Sequence, residues 1–445
     1  MHGESGAQVL FGWNAAWVAS LLFASVYALI IAEKLNRAIL ALLGAAMLIL
    51  CGVLTQEAAF RGIDFNTIGL LLGMMLIVGI TAKSGVFQYL AIWSAKKVNA
   101  QPMGVLFMLA MVTAFLSSLL DNVTTVLLVV PVTLLITEEL KVKAYPYLIA
   151  EVLCANIGGT ATLIGDPPNI MIGSLVGIPF NDFIYNLTPV VLMVLAVSSV
   201  PYYYIWRKDL VTTEKARQRV MAFNESEAIK DPRLLKQSLF VLALVLIGFF
   251  TSRMTHLEPA TVAMGGAALL LLLDNFSRHA EEQGTAVQQA FAEVEWVTLM
   301  FFVGLFILVH GLESSGVIRS MAEKLLEATK GDRTVTVLAV LWGSAFLSAF
   351  IDNIPFVATM IPLIKSMAPA FGGEQGLMPL WRALSLGACL GGNGTLIGAS
   401  ANLVVAGLAE RAGQPIRFMT YMKSCFGLMI LSIMVCHVYI YWRYL

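Results

Sequence analysis

Charged residues are scarce in this chain. Asp, Glu, Lys and Arg make up 13% of its 445 residues, against 58% hydrophobic residues. An ordinary soluble domain has about 25% charged residues, so this composition excludes a soluble enzyme and a disordered protein. Because 28 basic residues balance 28 acidic ones, there is also no electrostatic reason to expect nucleic-acid binding.

Cysteine is also rare, and a nucleotide-binding loop is missing. The five cysteines are scattered without a CxxC spacing, which predicts small core residues and neither disulfides nor a metal site. No GxxxxGK[ST] loop occurs, so we expect energy from an ion gradient or from a separate ATPase subunit. Neither enzymatic activity nor a cofactor is expected.

Long hydrophobic runs dominate what is present. A helix needs about 20 apolar residues to cross the roughly 30 Å hydrocarbon layer. The candidate runs are 16–33, 37–54, 66–82, 104–120, 123–137, 146–178, 187–206, 236–252, 259–274, 296–312, 334–351, 354–366, 380–407 and 424–442. The runs on either side of Asp121-Asn122 have no hydrated loop between them, which favours a re-entrant hairpin with its polar tip facing a cavity.

The loops predict an orientation. The longest polar segment, 207–236, carries eight basic residues and is therefore expected on the cytoplasmic side of the inner (plasma) membrane. Five crossings before it place the N-terminus outside, and the start of the chain shows no signal-peptide pattern. Basic residues also mark the other predicted inner ends: Lys34, Arg37, Lys83, Lys96, Lys97, Lys141 and Lys143.

The two halves of the chain are similar in sequence. The Asp-Asn pair at 121–122 recurs at 352–353, 231 positions later, and GGTATLIGDPPN recurs as GGNGTLIGASAN, 233 positions later. With five crossings per half, the halves have opposite orientations, as in many secondary transporters. We predict an all-α polytopic membrane protein with two inverted repeats of about five helices each, two re-entrant hairpins and two interrupted helices. Its parts are 1–206, a cytoplasmic linker 207–235, and 236–445.

Both hairpin tips carry groups suited to a transport site. A carboxylate inside an apolar segment costs a few kcal/mol, so it should face a cavity, pair with a cation or take up a proton. The alternative is that each aspartate only caps the following helix. The tip candidates for binding are Asn122, Thr124, Thr125 and Asn353, and the candidates for proton or ion coupling are Asp121 and Asp352.

The interrupted spans offer a second set of polar groups. Paired glycines and Pro167-Pro168 cannot continue an α-helix, so backbone amides and carbonyls become free there. A kink required by packing is the alternative. The binding candidates at the breaks are Thr160, Thr162, Asn169, Asn393, Thr395 and Asn402. Asp166 and, one or two turns earlier, Glu151 are candidates for proton or ion coupling.

At the paired tips and breaks the chain resembles the ion transporter superfamily, in particular the branch of ArsB-type arsenite permeases with P-protein-like and sodium/proton antiporter relatives. The resemblance implies a scaffold part and a transport part in each half, elevator-like alternating access and a possible homodimer. Dicarboxylate and citrate members carry Ser-Asn-Thr at the tips, whereas this chain has Asp before Asn122 and Asn353. Fixed carboxylates repel a carboxylate substrate unless they are neutralised.

These observations predict a secondary transporter that exports arsenite or antimonite by proton antiport. A sodium/proton antiporter and a sodium-coupled di- or tricarboxylate transporter are the alternatives. The expected partners are the inorganic solute, protons and membrane lipid, with a possible ATPase subunit on the basic loop.

Overall fold

The computed structural model describes residue 9 and residues 12–32, 34–276 and 278–445. Helices make up most of these residues, and no strand occurs among them. The start of the chain, which bears on the signal-peptide prediction, and the last residue of the predicted run 16–33 lie outside the described residues.

The first half of the chain contributes the helices before the long polar segment. They are α1 (Ala15–Ile31), α2 (Arg37–Leu50), α3 (Gln56–Arg61), α4 (Phe65–Ala82), α5 (Val86–Lys97), α6 (Pro102–Leu119), α7 (Asn122–Leu140), α8 (Tyr145–Gly159), α9 (Pro167–Val176) and α10 (Phe180–Trp206). The polar segment itself contains α11 (Glu214–Met221).

The second half follows the same order. Its helices are α12 (Pro232–Phe250), α13 (Ser252–Thr255), α14 (Pro259–Asn275), α15 (Ala280–Ala292), α16 (Trp296–Ser314), α17 (Val317–Ala328), α18 (Arg333–Phe350), α19 (Asn353–Ser366), α20 (Met378–Gly391), α21 (Ser400–Arg411) and α22 (Phe418–Tyr444).

Eight of the described helices are long and apolar enough to cross a membrane, and α1, α2 and α14 are shorter apolar helices. The prediction of an all-helical polytopic membrane protein is therefore confirmed. The predicted run 146–178 is divided into α8 and α9, and 380–407 into α20 and α21, at the glycine-rich breaks. The hydrophobic runs in the sequence do not predict the short or more polar helices α3, α5, α11, α13, α15 and α17.

Helix α2 of the first half packs closely against α16 of the second half. A Cβ atom added at Gly304 would lie 2.5 Å from the carbonyl carbon of Ala41, and one at Gly311 would lie 2.7 Å from the Leu48 side chain. Both contacts advance by seven residues along both helices, so α2 and α16 run parallel. Close approach through glycine is typical of helix pairs in membranes.

The second half likewise contributes a helix that packs against the first half. Helix α14 of the second half packs on α4 of the first half, where a Cβ added at Gly73 would lie 2.6 Å from the carbonyl carbon of Ala263. One turn earlier, Gly69 faces Ala260, so this pair is also parallel. Each half therefore supplies one helix to the other half's packing, and the two halves hold together as one unit.

The hairpin and the interrupted helix of the first half are joined by close backbone contact. A Cβ added at Gly158 would lie 2.1 Å from the carbonyl oxygen of Ala114, and the Ser117 hydroxyl donates to the carbonyl of Ala155 at 2.7 Å. These contacts bring α6 and α8 together at the break. The tip of the hairpin is thereby held beside the opened backbone.

The same contacts recur in the second half. A Cβ added at Gly391 would lie 2.5 Å from the carbonyl oxygen of Ala345, and the Ser348 hydroxyl donates to the carbonyl of Ala388 at 2.6 Å. The residues on α18 and α20 follow those on α6 and α8 by the offsets found in the sequence, 231 and 233 positions. The hairpin and the interrupted helix are therefore joined in the same way in both halves.

Alanine at Gly158 is expected to destabilise the protein. Its Cβ has no space beside the Ala114 carbonyl, and overpacking of this kind costs about 1–3 kcal/mol. The control is Gly265→Ala in α14, where nothing lies within 4 Å of the added atom. Thermal unfolding in detergent should show a lower Tm for Gly158→Ala only; equal Tm values for the two variants would contradict this packing.

The segment predicted as a cytoplasmic linker packs against the first half. Lys96 forms an ion pair with Glu225, and its ammonium group also donates to the carbonyl of Phe223 at 2.9 Å. The backbone N–H of Lys230 donates to the carbonyl of Ser84 at 2.9 Å. The hydrogen bond from Lys96 holds the pKa of the Glu225 carboxyl below its usual range. The segment is thus fixed across the ends of α5 and α7.

Candidate functional site

Both hairpin tips are also helix starts. Asp121 caps α7: its Oδ1 accepts a hydrogen bond from the backbone N–H of Thr124 at 2.9 Å, and its Oδ2 accepts one from the Thr124 hydroxyl at 2.5 Å. Asp352 caps α19 by accepting from the backbone N–H of Ile354 at 3.1 Å. The Thr125 hydroxyl donates to the carbonyl of Asp121. The capping role is therefore present at both tips, and it leaves Oδ2 of Asp352 for another partner.

A buried amide network connects the first tip to both breaks. The side chain of Asn122 donates to Oδ1 of Asn156 at 3.0 Å. Asn156 in turn donates to Oδ1 of Asn393 at 2.8 Å and to Oδ1 of Asn402 at 3.0 Å. All four side chains are buried. Since these residues come from α7, α8, the second break and α21, the network fixes the geometry between the two halves.

The predicted threonines at the breaks donate to the backbone. The hydroxyl of Thr162 donates to the carbonyl of Ser118 at 2.6 Å, and that of Thr395 donates to the carbonyl of Ala349. Thr160 donates to the carbonyl one turn earlier in its own helix. In a membrane interior without water, free carbonyls must find such donors within the protein. These hydroxyls therefore stabilise the backbone at the breaks.

Asn169 and Asn402 support the breaks in the same way. The amide of Asn169 donates to the carbonyls of Thr160 and Thr162 at 3.1 and 2.9 Å. The amide of Asn402 donates to the carbonyl of Thr395 at 2.9 Å. Each asparagine thus folds the opened backbone around its own side chain, so that the break keeps one conformation.

A cavity lies between the two hairpin tips. Its lining residues are Arg37, Leu71, Met75, Asp121, Asn122, Val123, Asp166, Pro167, Glu295, Thr298, Asn353, Ile354 and Ser400. Four predicted site residues thus meet here, namely Asp121, Asn122, Asp166 and Asn353. Thr124, Thr125, Thr160, Thr162, Asn169, Asn393, Thr395 and Asn402 are not among the lining residues.

The cavity contains buried acceptor atoms without donors. Asp166 is fully buried, and its Oδ1 receives a single long hydrogen bond of 3.4 Å from Asn353. Oδ2 of Asp166 and Oδ1 of Asn122 have no hydrogen-bond partner among the described residues. A buried acceptor left unpaired costs about 1–3 kcal/mol. Such atoms are therefore suited to a proton, a cation or a solute that donates hydrogen bonds.

Arg37 belongs to the site, although its position in the sequence predicts a basic residue at an inner loop end. Its guanidinium donates to Oδ2 of Asp352 at 2.7 Å and to the hydroxyl of Ser400 at 2.6 Å. It also lies over the ring of Phe301, 5.1 Å from the centroid. An aspartate at one tip of the site thus has a built-in positive partner. A second cavity, lined by Tyr27, Asp352 and Pro355 among others, shares Arg37 with the first.

Glu295 and Thr298 also line the cavity without having been predicted, and Ser400 joins them from the polar side chains at the second break. Glu295 and Thr298 are the first and last residues of the segment EWVT, which matches DFNT in the first half. Ser400 occupies the position of Pro167 in the second break. The cavity draws these residues from α21 and from the start of α16, far from the hairpin tips in sequence.

Glu151 lies away from this cavity. It is fully buried in α8 and accepts a hydrogen bond from the hydroxyl of Thr133 in α7. The second carboxyl oxygen of Glu151 has no hydrogen-bond partner within the described ranges of the chain. The structure therefore does not bring Glu151 together with Asp121, Asp166 and Asp352.

Residues 27–387 match the model of a family described as citrate transporter, CitMHS. The chain belongs to the citrate transporter family. A protein of Mycobacterium tuberculosis described as an uncharacterized transporter is 41% identical to this family member over 434 residues, 96% of this chain and 98% of the relative. The P protein of Homo sapiens is 32% identical over 96% of this chain and 60% of the relative.

The fold has a solved counterpart. The crystal structure of the YdaH transporter of Alcanivorax borkumensis matches this CitMHS family member with a TM-score of 0.58 over 96% of this chain and 98% of that chain, at 15% sequence identity. At this identity the likeness concerns the fold alone. Family, relatives and helices agree on a polytopic membrane transporter, which confirms the predicted membership of the ion transporter superfamily; its solute is a separate question.

Proposed function

We propose that this chain is a secondary active transporter that exports arsenite or antimonite, as the neutral trihydroxides, by proton antiport with elevator-like alternating access. The observation that carries the proposal is the pair of buried, unpartnered acceptors in the cavity, Oδ1 of Asn122 and Oδ2 of Asp166. A trihydroxide presents O–H donors to such acceptors, and a carboxylate oxygen is a strong acceptor for them.

The charge of the cavity supports a neutral solute. Asp121, Asp166 and Glu295 line it together with one cation, Arg37, and that cation is already paired with Asp352. A di- or tricarboxylate entering this cavity would meet uncompensated negative charge, which disfavours its binding. The name of the family raises citrate as a candidate, and these carboxylates are the physical argument against it.

Proton coupling follows from the same groups. A carboxylate such as Asp166 that loses its solute in a membrane interior is stabilised by taking up a proton. Binding of the trihydroxide and binding of the proton then compete for the same oxygen. Such competition makes loading and release alternate across the membrane, which is the requirement for antiport.

Sodium/proton antiport is the second candidate, because a carboxylate and an amide oxygen without donors also suit a hard cation. Under either candidate the long basic segment lies in the cytoplasm and the protein in the inner (plasma) membrane. The resemblance to the superfamily supports a homodimer. The lack of a nucleotide-binding loop in the sequence is the reason to propose an ATPase subunit, which would bind the basic segment.

Transport in everted membrane vesicles tests the proposal. Vesicles from bacteria without endogenous arsenite efflux, made with and without this chain, receive an acid-inside proton gradient and arsenite, and the arsenic inside is measured by mass spectrometry. We expect accumulation that needs both the chain and the gradient. Sodium-induced dissipation of the gradient without arsenite would instead establish the antiporter, and sodium-driven uptake of labelled citrate by cells would establish a carboxylate carrier.

A further inference from the structure

The two halves of the site differ in their charges, although they are built alike. Asp352 at the second tip pairs with Arg37. Among the described residues, no Lys, Arg or His lies within ion-pair distance of Asp121, its counterpart at the first tip. The difference extends to the breaks, where Ala399 and Ser400 occupy the positions of Asp166 and Pro167.

We propose that Arg37 is a resident counter-cation for the second half of the site, so that only the first half, at Asp121 and Asp166, takes up an exchangeable proton or cation. The inference deepens the proposed function, since it concerns the coupling ion of the same carrier. It assigns to Arg37 a role that acts through the charge of Asp352, and Arg37 is therefore a positioning residue.

The contacts of Arg37 describe a fixed cation. One terminal nitrogen donates to both Asp352 and Ser400, and the guanidinium plane is supported by the Phe301 ring. The preceding residue, Asn36, caps α2 by accepting from the backbone N–H of Ala38 at 2.9 Å. With side-chain exposures of 24% for Arg37 and 13% for Asp352, salt screens this pair less than a surface pair.

Charge balance then separates the two halves. At the second tip and break, the carboxylate of Asp352 and the guanidinium of Arg37 cancel, and Ala399 brings no further charge. At the first tip and break, neither Asp121 nor Asp166 has an ion-pair partner among the described residues, and Oδ2 of Asp166 accepts no hydrogen bond from them. An incoming proton or cation therefore lowers the energy at the first tip and break. The two repeats provide two equivalent positions for a positive charge, and Arg37 permanently occupies the one beside Asp352.

Removing Arg37 should open the second place. Asp352 would then be a partly buried carboxylate without a partner, which favours uptake of a proton or cation. The other groups that face this pair are Tyr27, whose hydroxyl donates to the carbonyl of Pro355, and the carboxylates Glu295 and Asp166 across the cavity. None of them supplies a replacement positive charge, so the change in coupling should be carried by Asp352.

The first experiment needs no solute. Thermal unfolding in detergent at neutral pH compares wild type, Arg37→Gln, Asp352→Asn and the double variant, with Lys34→Gln as the control for loss of an exposed positive charge three residues away. Breaking one side of a buried pair costs more than removing both. We expect a lower Tm for Arg37→Gln, recovery of most of this loss in the double variant, and no change for Lys34→Gln. If the double variant lost as much as the two single changes added together, the counter-cation role would be wrong.

The second experiment measures coupling. In vesicles carrying Arg37→Ala, the dependence of the logarithm of the flux on pH should become steeper by about one proton, because Asp352 without its cation becomes a further group that can bind a proton. Millimolar guanidinium ion should restore the wild-type slope. It should have no effect on Arg37→Ala combined with Asp352→Asn. An unchanged slope without guanidinium would contradict the proposal.

The two proposals fail separately. If wild-type vesicles accumulate no arsenite, the solute assignment is wrong, while the thermal cycle still decides the role of Arg37. If wild-type vesicles transport arsenite but the thermal cycle shows no coupling between Arg37 and Asp352, the carrier stands and the counter-cation does not.

Discussion

Asp166→Asn is expected to lower proton-driven flux by about 100-fold, the rate equivalent of the roughly 2.5–3.5 kcal/mol attached to a charged group inside a membrane. Asparagine has the shape of the protonated acid but cannot release the proton. Because Oδ2 of Asp166 has no hydrogen-bond partner in the part of the chain that the structure describes, its state of charge depends on what enters the cavity. The flux of wild type and variant in everted vesicles, corrected for protein amount, measures the effect.

Two variants define the controls for this result. Asp209→Asn replaces an exposed aspartate after α10 and should keep the wild-type flux. Asp121→Asn should have a smaller effect than Asp166→Asn, since both oxygens of Asp121 already accept hydrogen bonds from Thr124. Proton-driven flux at the wild-type level in Asp166→Asn would refute its role in coupling.

The parts of the fold that could be predicted are those with a local signal. The breaks were located because glycine and proline cannot continue a helix, and the hairpin tips because Asp121-Asn122 leaves no room for a hydrated loop. Asp121, Asn122, Asp166 and Asn353 all line the cavity. These residues belong to the two repeated motifs, so the repeat relates them in the sequence as the cavity does in the structure.

Arg37 could not be assigned in this way, because its role depends on packing between the halves. It lies at the start of α2, which packs on α16 at Gly304 and Gly311. No sequence pattern specifies this packing between the halves. The threonines show a different difficulty. A polar residue at a break can face a solute or satisfy the backbone, and the free carbonyls of Ser118 and Ala349 use the hydroxyls of Thr162 and Thr395.

Asn156→Ala is expected to cause the largest loss of stability among single changes near the site. The side chain uses both amide hydrogens and its oxygen, in bonds to Asn393, Asn402 and Asn122. Its removal leaves the three partner groups buried and short of a partner. At about 1–3 kcal/mol for each unpaired buried group, the expected loss is about 3 kcal/mol or more. Thermal unfolding in detergent measures it as a lower Tm.

The repeat supplies a matched control for this variant. Cys389 occupies the position of Asn156 in the second half and is equally buried. Its thiol, a weak hydrogen-bond donor, contacts Asn169 at 3.6 Å and also lies beside Asp166. Cys389→Ala should therefore lose much less stability than Asn156→Ala. Flux should fall with Asn156→Ala as well, because Asn122 reaches the cavity from a position that Asn156 fixes. Equal Tm values for the two alanine variants would mean that packing, and not the amide network, holds the two breaks together.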